Sequence, residues 1–418
     1  MYNKKMCRNI GIAVLLFGFN AILGMNLTNS VYDTLILPER NYDSRFQFFV
    51  AGQMGIGKAV AFDCCGCEEN PLRIWNKTQN SIKMLEGFDP DSHIGLLRSG
   101  LDANDDGTRG HFLVCGELDI NAAVDFSMWF YFLENFSVSL HLPFYSMELK
   151  NVSWQDQTRM ASRDDFKVKE SLTNNFFQNV KNLGCLDLCG WKRNGIGDLA
   201  VFVEWQKYFE QGRPFLKDVT VGVRGGLTLP TGKKEDEDKL FAVPFGYDGS
   251  VGMIVGAGLD LTFKRYLRGG VDFQLLHLFG REKCRRIKTH QCQTDLLLLQ
   301  KFDTYKDFGL TQRFNLYLEL YRFLKDLSFK VGYQFMRRSE DFLHLCNNKF
   351  SECTANTSNR LEEWTMHSLI LNLHYQLRED DCREYRVRPY VSVFSKIPFN
   401  GMNVAMKRTI GVGFGLDF

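Results

Sequence analysis

The side chains able to do chemistry in this chain are mostly ionised groups set two residues apart from apolar neighbours. Glu117, Asp119, Glu204, Arg224, Asp260, Arg313, Glu319, Lys330 and Arg386 all occupy the polar places of stretches whose alternate residues are apolar. Opposite charges on one face of extended chain can line a wet passage, where radius and charge placement discriminate and no bond is made. A hydrolase would need a Ser–His pair with an acidic or amide orienter. His367 and Ser368 are adjacent, and adjacent residues of a strand point to opposite faces. Carboxylates such as Glu117, Asp119 and Asp198 pair more naturally with Arg224, Lys330 or Arg386 than with a substrate. The reading is therefore not an enzyme, with no catalytic residue and no cofactor.

Metal chemistry is weakly signalled as well. Asp102, Asn104, Asp106 and Gly107 have the oxygen spacing of a calcium loop, but Leu113 stands where a bidentate Glu is needed. The cysteines match no zinc spacing, so no metal is expected. There are twelve of them. Cys185 with Cys189, Cys284 with Cys292 and Cys346 with Cys353 are close in sequence and read as loop disulfides of an exported protein. Gly52, Gly55 and Gly57 lack the lysine-serine pair of a phosphate loop.

The elements that carry these residues alternate with period two. In 112–126 the even positions run Phe112, Val114, Gly116, Leu118, Ile120, Ala122, Val124 and Phe126, while Glu117, Asp119, Asn121 and Asp125 fall on odd ones. Helical faces repeat every 3.6 residues and cannot sort side chains this way. The sorting recurs, and predicts about twelve strands near 45–58, 111–125, 136–148, 196–208, 216–230, 250–264, 270–280, 310–322, 327–338, 364–377, 385–396 and 403–418. Two places resist the pattern: Pro389, which cannot donate to a ladder, and Leu276 and Leu278, whose parity points them inward. Tight connections near 133–135, 209–215, 265–269, 323–326 and 378–384 interleave with outer loops near 59–110, 149–195, 231–249, 281–309 and 339–363.

Such a pattern fits an all-β transmembrane antiparallel barrel of about twelve strands with long outer loops. Past residue 25 no uninterrupted apolar run reaches the roughly 18 residues of a spanning helix. Lys4, Lys5 and Arg8 followed by an apolar run from Ile10 to Phe19 read as a signal peptide over 1–24, leaving 25–44 as a periplasmic segment and 45–418 as barrel. Lys+Arg of 51 against Asp+Glu of 49 gives no electrostatic reason to expect nucleic acid. Arg281, Lys283, Arg285, Arg286 and Lys288 read as a solvated outer loop, with lipopolysaccharide phosphates as the sharper alternative. Residues 164–183 read as an amphipathic helix with Phe166, Phe176, Phe177 and Val180 on one side.

Two motifs carry a resemblance. The chain ends with Ile410, Val412, Phe414, Leu416 and Phe418 on one face. This resembles the terminal strand of bacterial outer-membrane barrels, which implies the bacterial outer membrane, recognition of Phe414, Leu416 and Phe418 by the barrel-assembly machinery, and lipid and lipopolysaccharide as surroundings. Gly195-Ile196-Gly197-Asp198 opening one strand, with Gly225 to Gly232 closing the next, is similar to the outer-membrane barrels grouped with the MetA pathway of phenol degradation. The resemblance is good over 195–280 and general elsewhere. It implies passage of small, often aromatic or apolar, compounds. The expected function is a narrow channel for passive passage of small solutes. A plugged surface or adhesive barrel with disulfide-braced loops is the alternative, and a lipid-modifying enzyme the third.

Overall fold

The computed structural model describes residues 32–40, 44–101, 106–264, 266–324, 326–376 and 387–418. The expected signal peptide, Arg386, Cys7, Cys382 and Asp102 to Asp105 of the possible calcium turn lie outside the described residues.

Alternating apolar and polar residues can satisfy their backbone in an apolar medium only by pairing with neighbours on both sides. Twelve long strands among the described residues do so. They are β1 (Phe46–Phe62), β2 (His111–Leu133), β3 (Phe136–Asp156), β4 (Leu199–Glu210), β5 (Leu216–Leu229) and β6 (Gly252–Phe263), then β7 (Leu267–Leu278), β8 (Thr311–Leu324), β9 (Leu327–Arg338), β10 (Trp364–Gln376), β11 (Arg388–Met402) and β12 (Val404–Asp417). Each pairs antiparallel with the next, and β1 pairs with both β2 and β12, which closes the sheet and leaves no edge along the wall.

The outer face of this wall is apolar. Phe126, Met128 and Phe130 of β2, Leu316, Leu318 and Leu320 of β8, and Ile410, Val412 and Phe414 of β12 are exposed. A soluble monomer rarely exposes apolar patches beyond a few hundred Å², so a continuous belt of this kind faces lipid. Pro389 proves to be the second residue of β11 and not its middle, and at a strand's start a missing donor is tolerated.

The short connections at 134–135 and 211–215, and the strand ends that flank residues 265, 325 and 377–386, lie at one end, the turn end. The segments 63–101, 106–110, 157–198, 230–251, 279–310 and 339–363 gather at the other, the loop end. There Asn403, with φ +50°, alone joins β11 to β12; its left-handed backbone suits a short polar side chain.

The loops fold into a cap with a core of its own. The β2–β3 hairpin continues beyond the wall, and the register slips between Ile120 and Ala122. The extra residue reverses which parity faces which way. Below the slip Ser127 and Trp129 point inward and the even residues outward. Above it the even residues Phe112, Val114 and Leu118 are buried, packed with Leu85, Leu172, Phe176, Val180 and Phe245. The expected amphipathic helix is two short ones, Arg163–Val168 and Phe176–Gly184, joined through a π-turn. Phe176 and Val180 are buried as expected, whereas Phe166 and Phe177 are exposed.

Candidate functional site: a charged lumen crossed by the chain

Inward positions of the wall carry ionised groups, and most meet opposite charge. Arg224 on β5 grips Asp272 on β7 with two parallel bonds, Nη1 to Oδ2 at 2.7 Å and Nη2 to Oδ1 at 2.8 Å, the strong bidentate form of this pair. Arg313 Nη2 donates to Gln274 Oε1 at 2.5 Å, and Tyr317 OH donates to Asp260 Oδ1 at 2.5 Å. Glu319 is fully buried, with Lys330 Nζ at 4.0 Å, Arg268 Nη1 at 3.8 Å and His374 Nε2 at 3.3 Å.

Residues 32–40, the described part of the segment expected on the periplasmic side, run through this lumen. Tyr32 OH donates to Glu204 Oε2 at 3.0 Å, and its ring lies 4.7 Å under the Arg224 guanidinium. Asp33 meets Lys396 Nζ at 2.9 Å. Leu35 O accepts from Asn372 Nδ2 at 3.1 Å, and Glu39 pairs with Arg268. Leu35 and Ile36 are buried against Phe49, Trp129, Ile370 and Phe394. At about 1.5–3 kcal/mol for a buried side chain of this size, two such residues hold the segment firmly. Leu35 rests on Gly332, where a Cβ would come within 2.8 Å of Leu35 Cδ1. Tyr32 also joins Phe202, Tyr247, Ile254, Leu276 and Leu278 in an apolar plug. This cluster accounts for the inward leucines of β7 that broke the sequence pattern.

The crossing divides the interior. Towards the turn end lies a cavity of about 510 Å³ lined by Glu39, Arg40, Glu204, Asp260, Arg268 and Arg322 among others. Towards the loop end lies one of about 170 Å³ beneath the cap.

No protein-family model matches the chain, and no curated protein matches its sequence. Among solved structures, an outer membrane channel from Pseudomonas putida F1 is similar over 92% of this chain and 98% of that one, at 9% identity and a TM-score of 0.48. The NanC porin is similar over 71% and 92%, at 9% identity and 0.31. The CymD monoaromatic hydrocarbon channel is similar over 90% and 89%, at 8% identity and 0.30. These are likenesses of shape.

The wall, closed and apolar outward, is that of an outer-membrane β-barrel. Of the residues singled out in its sequence, Glu204, Arg224, Asp260 and Lys330 come together around the larger cavity, and Arg313 and Glu319 are buried inward beside them. Glu117 and Asp119 are not brought there. Cross-strand partners share a face, and these two pair with Lys150 and Glu148 above the slip, opposite to the Leu118 and Leu149 face. Asp119 is held by Lys407 Nζ at 2.7 Å and Lys150 Nζ at 2.9 Å. Phe414 and Phe418 point outward and exposed at the end of β12.

The basic stretch is not a solvated loop. Arg285, Arg286 and Lys288 are buried in the cap, paired with Asp248, Asp238 and Asp295. Ten cysteines are described and all are free thiols, those of the three expected pairs exposed in the cap. Gly195–Asp198 and Pro230–Gly232 form one knot. Asp198 accepts from the amides of Gly232 at 2.8 Å and Tyr247 at 2.6 Å, and Thr231 Oγ1 donates to Gly197 O at 2.9 Å. A side chain at Gly197 would strike Phe245 O at 2.6 Å.

Sequence reasoning missed a buried relay. His141 Nδ1 lies 2.8 Å from Ser127 Oγ, and its Nε2 lies 3.0 Å from Ser139 Oγ. Ser139 donates to Glu204 at 2.5 Å. Because that proton is committed to Glu204, Ser139 must accept from Nε2–H, and Nδ1 accepts from Ser127. Both serines are buried, and the buried His141 ring between them packs against Trp129, Tyr32 and Phe202.

Proposed function

We propose that the chain is a channel of the bacterial outer membrane for passive passage of small solutes, with its turn end in the periplasm and its cap outside. The observation that carries this reading is a closed wall, apolar outward, around an ionised interior with a cavity on each side of one narrow crossing. Glu204, Arg224, Asp260, Arg313, Glu319 and Lys330 set the charge along the path. Discrimination comes from radius and charge, with no cofactor and no covalent step. The residues 32–37 must shift for passage, since they fill the waist. The Ser127–His141–Ser139 relay, being buried, has no part in this reading.

Planar-bilayer recording of refolded protein tests it. Native protein should conduct in brief, small steps. Lys396→Ala and Asn372→Ala together free the crossing segment and should raise the open fraction about tenfold or more, the pair's loss leaving Asp33 buried without its partner. Silence in both proteins, with no swelling of solute-loaded liposomes, would remove the channel. Capture of a cell-surface partner through the cap would then favour the surface-structural reading, which the filled waist and the separately packed cap support.

A further inference from the structure

The cavity beneath the cap has a chemical asymmetry that the passage does not require. At one end Glu235 meets Arg360 Nη2 at 2.5 Å, and Glu237 meets Lys283 Nζ at 3.1 Å, so charge there is matched. At the other, Arg285, Lys306 and Arg338 share two carboxylates. Asp341 takes Lys306 Nζ at 2.7 Å and Arg338 Nη2 at 3.0 Å. Asp248 takes Arg285 Nη1 and also Lys283 Nζ at 3.0 Å. Those three cations outnumber their two carboxylates; the remaining acid of the lining, Glu362, is exposed and accepts from Asn403 Nδ2 at 3.1 Å.

Arg285 is 6% exposed, and its Nε and Nη2 have no hydrogen-bond partner. Leaving two buried guanidinium donors without acceptors is costly. The free pair is also the edge of the guanidinium whose two N–H groups match the two oxygens of a carboxylate. Burial lowers the Lys306 pKa most; Asp341 raises it, and Arg285 and Arg338 lower it further.

An apolar surface lies beside this charge. The ring of Phe308 has Lys306 Nζ and Arg338 Cζ each 5.1 Å from its centre. Phe308 also packs on the Tyr247, Leu276 and Leu278 plug and lines the cavity with Tyr247. At about 170 Å³ the cavity is smaller than a drug-sized site.

We propose that this cavity binds a small monocarboxylate with an aromatic or compact apolar body, the carboxylate on the Nε and Nη2 edge of Arg285, which the guanidinium must turn to open, and the body against Phe308 and Tyr247. As a statement about solute class it rests on the channel reading; as a statement about binding it does not.

Isothermal titration of the full-length barrel in detergent micelles tests it, with benzoate and benzamide as probes of equal shape and different charge. Benzoate should bind at one saturable site, and benzamide about tenfold more weakly or worse, the loss expected for one charge-assisted pair. Arg285→Lys keeps a cation beside Asp248 but removes the fork, and should weaken benzoate about tenfold. Phe308→Ala should weaken both probes. Retained heat-modifiable gel mobility shows that each variant is folded. Equal affinity for the two probes, no benzoate heat with folded native protein, or Arg285→Lys binding like native would each overturn the site. Benzoate binding without conductance removes the channel and keeps the site; conductance without benzoate binding does the reverse.

Discussion

On β2, Phe126, Met128 and Phe130 face outward to lipid, while further along the same strand Phe112, Val114 and Leu118 face into a protein core. The residue types are alike and the parity is the same; the extra residue that β2 itself carries between Ile120 and Ala122 separates the two settings. Apolarity along a strand thus says that one face avoids water, and says nothing about whether acyl chains or side chains cover it.

The cap and the wall should therefore break differently. The largest effect is expected in the cap core. Leu172→Ala, at a position with no exposure, removes about 2–5 kcal/mol; limited proteolysis should open the cap at 157–198 while the wall resists, and simultaneous loss of both would show them to be one cooperative unit. Next comes a charge on the wall. Val412→Arg, outward on β12, should cost about 2–4 kcal/mol near the midplane, read as a lower urea midpoint for refolding into vesicles. Leu96→Arg makes the same kind of change at an exposed position of the cap helix His93–Gly100, and should cost no more than about 0.5 kcal/mol in the same measurement. Equal costs at the two sites would erase the distinction.

The smallest effect is one of pH. Arg109 Nε, 2.7 Å from Asp165 Oδ1, holds that carboxyl down at about 2. A depressed carboxyl stabilises the fold above its unfolded value of about 3.9. That contribution is lost as pH falls through the folded value, so the cap should loosen between about pH 4 and about pH 2. Hydrogen exchange at Arg163–Val168 reads this, and a flat profile there would detach the pair from cap stability.

The wall was legible because lipid and lumen enforce a two-residue rhythm over many residues, and all twelve strands stand near their expected places. The cap was not. Its core joins residues as far apart as Leu72 and Leu299, and nothing local marks Arg285 or Lys288 as buried. Glu117 and Asp119 were misplaced because a one-residue slip leaves no trace in an alternation that continues through it. The crossing segment left one indirect sign, the inward Leu276 and Leu278. Apolar side chains inside a polar lumen require an apolar partner there, and Tyr32 and Tyr247 supply it.

The wall closes through its first and last strands. It therefore cannot be finished until β12 is in place. Residues 32–40 precede the opening strand and are in place to enter while the gap between β1 and β12 is still unfilled. Phe418 O accepts the amide of Arg45 at 2.8 Å, so the seam lies beside the base of that segment, and closing it encloses the segment within the wall.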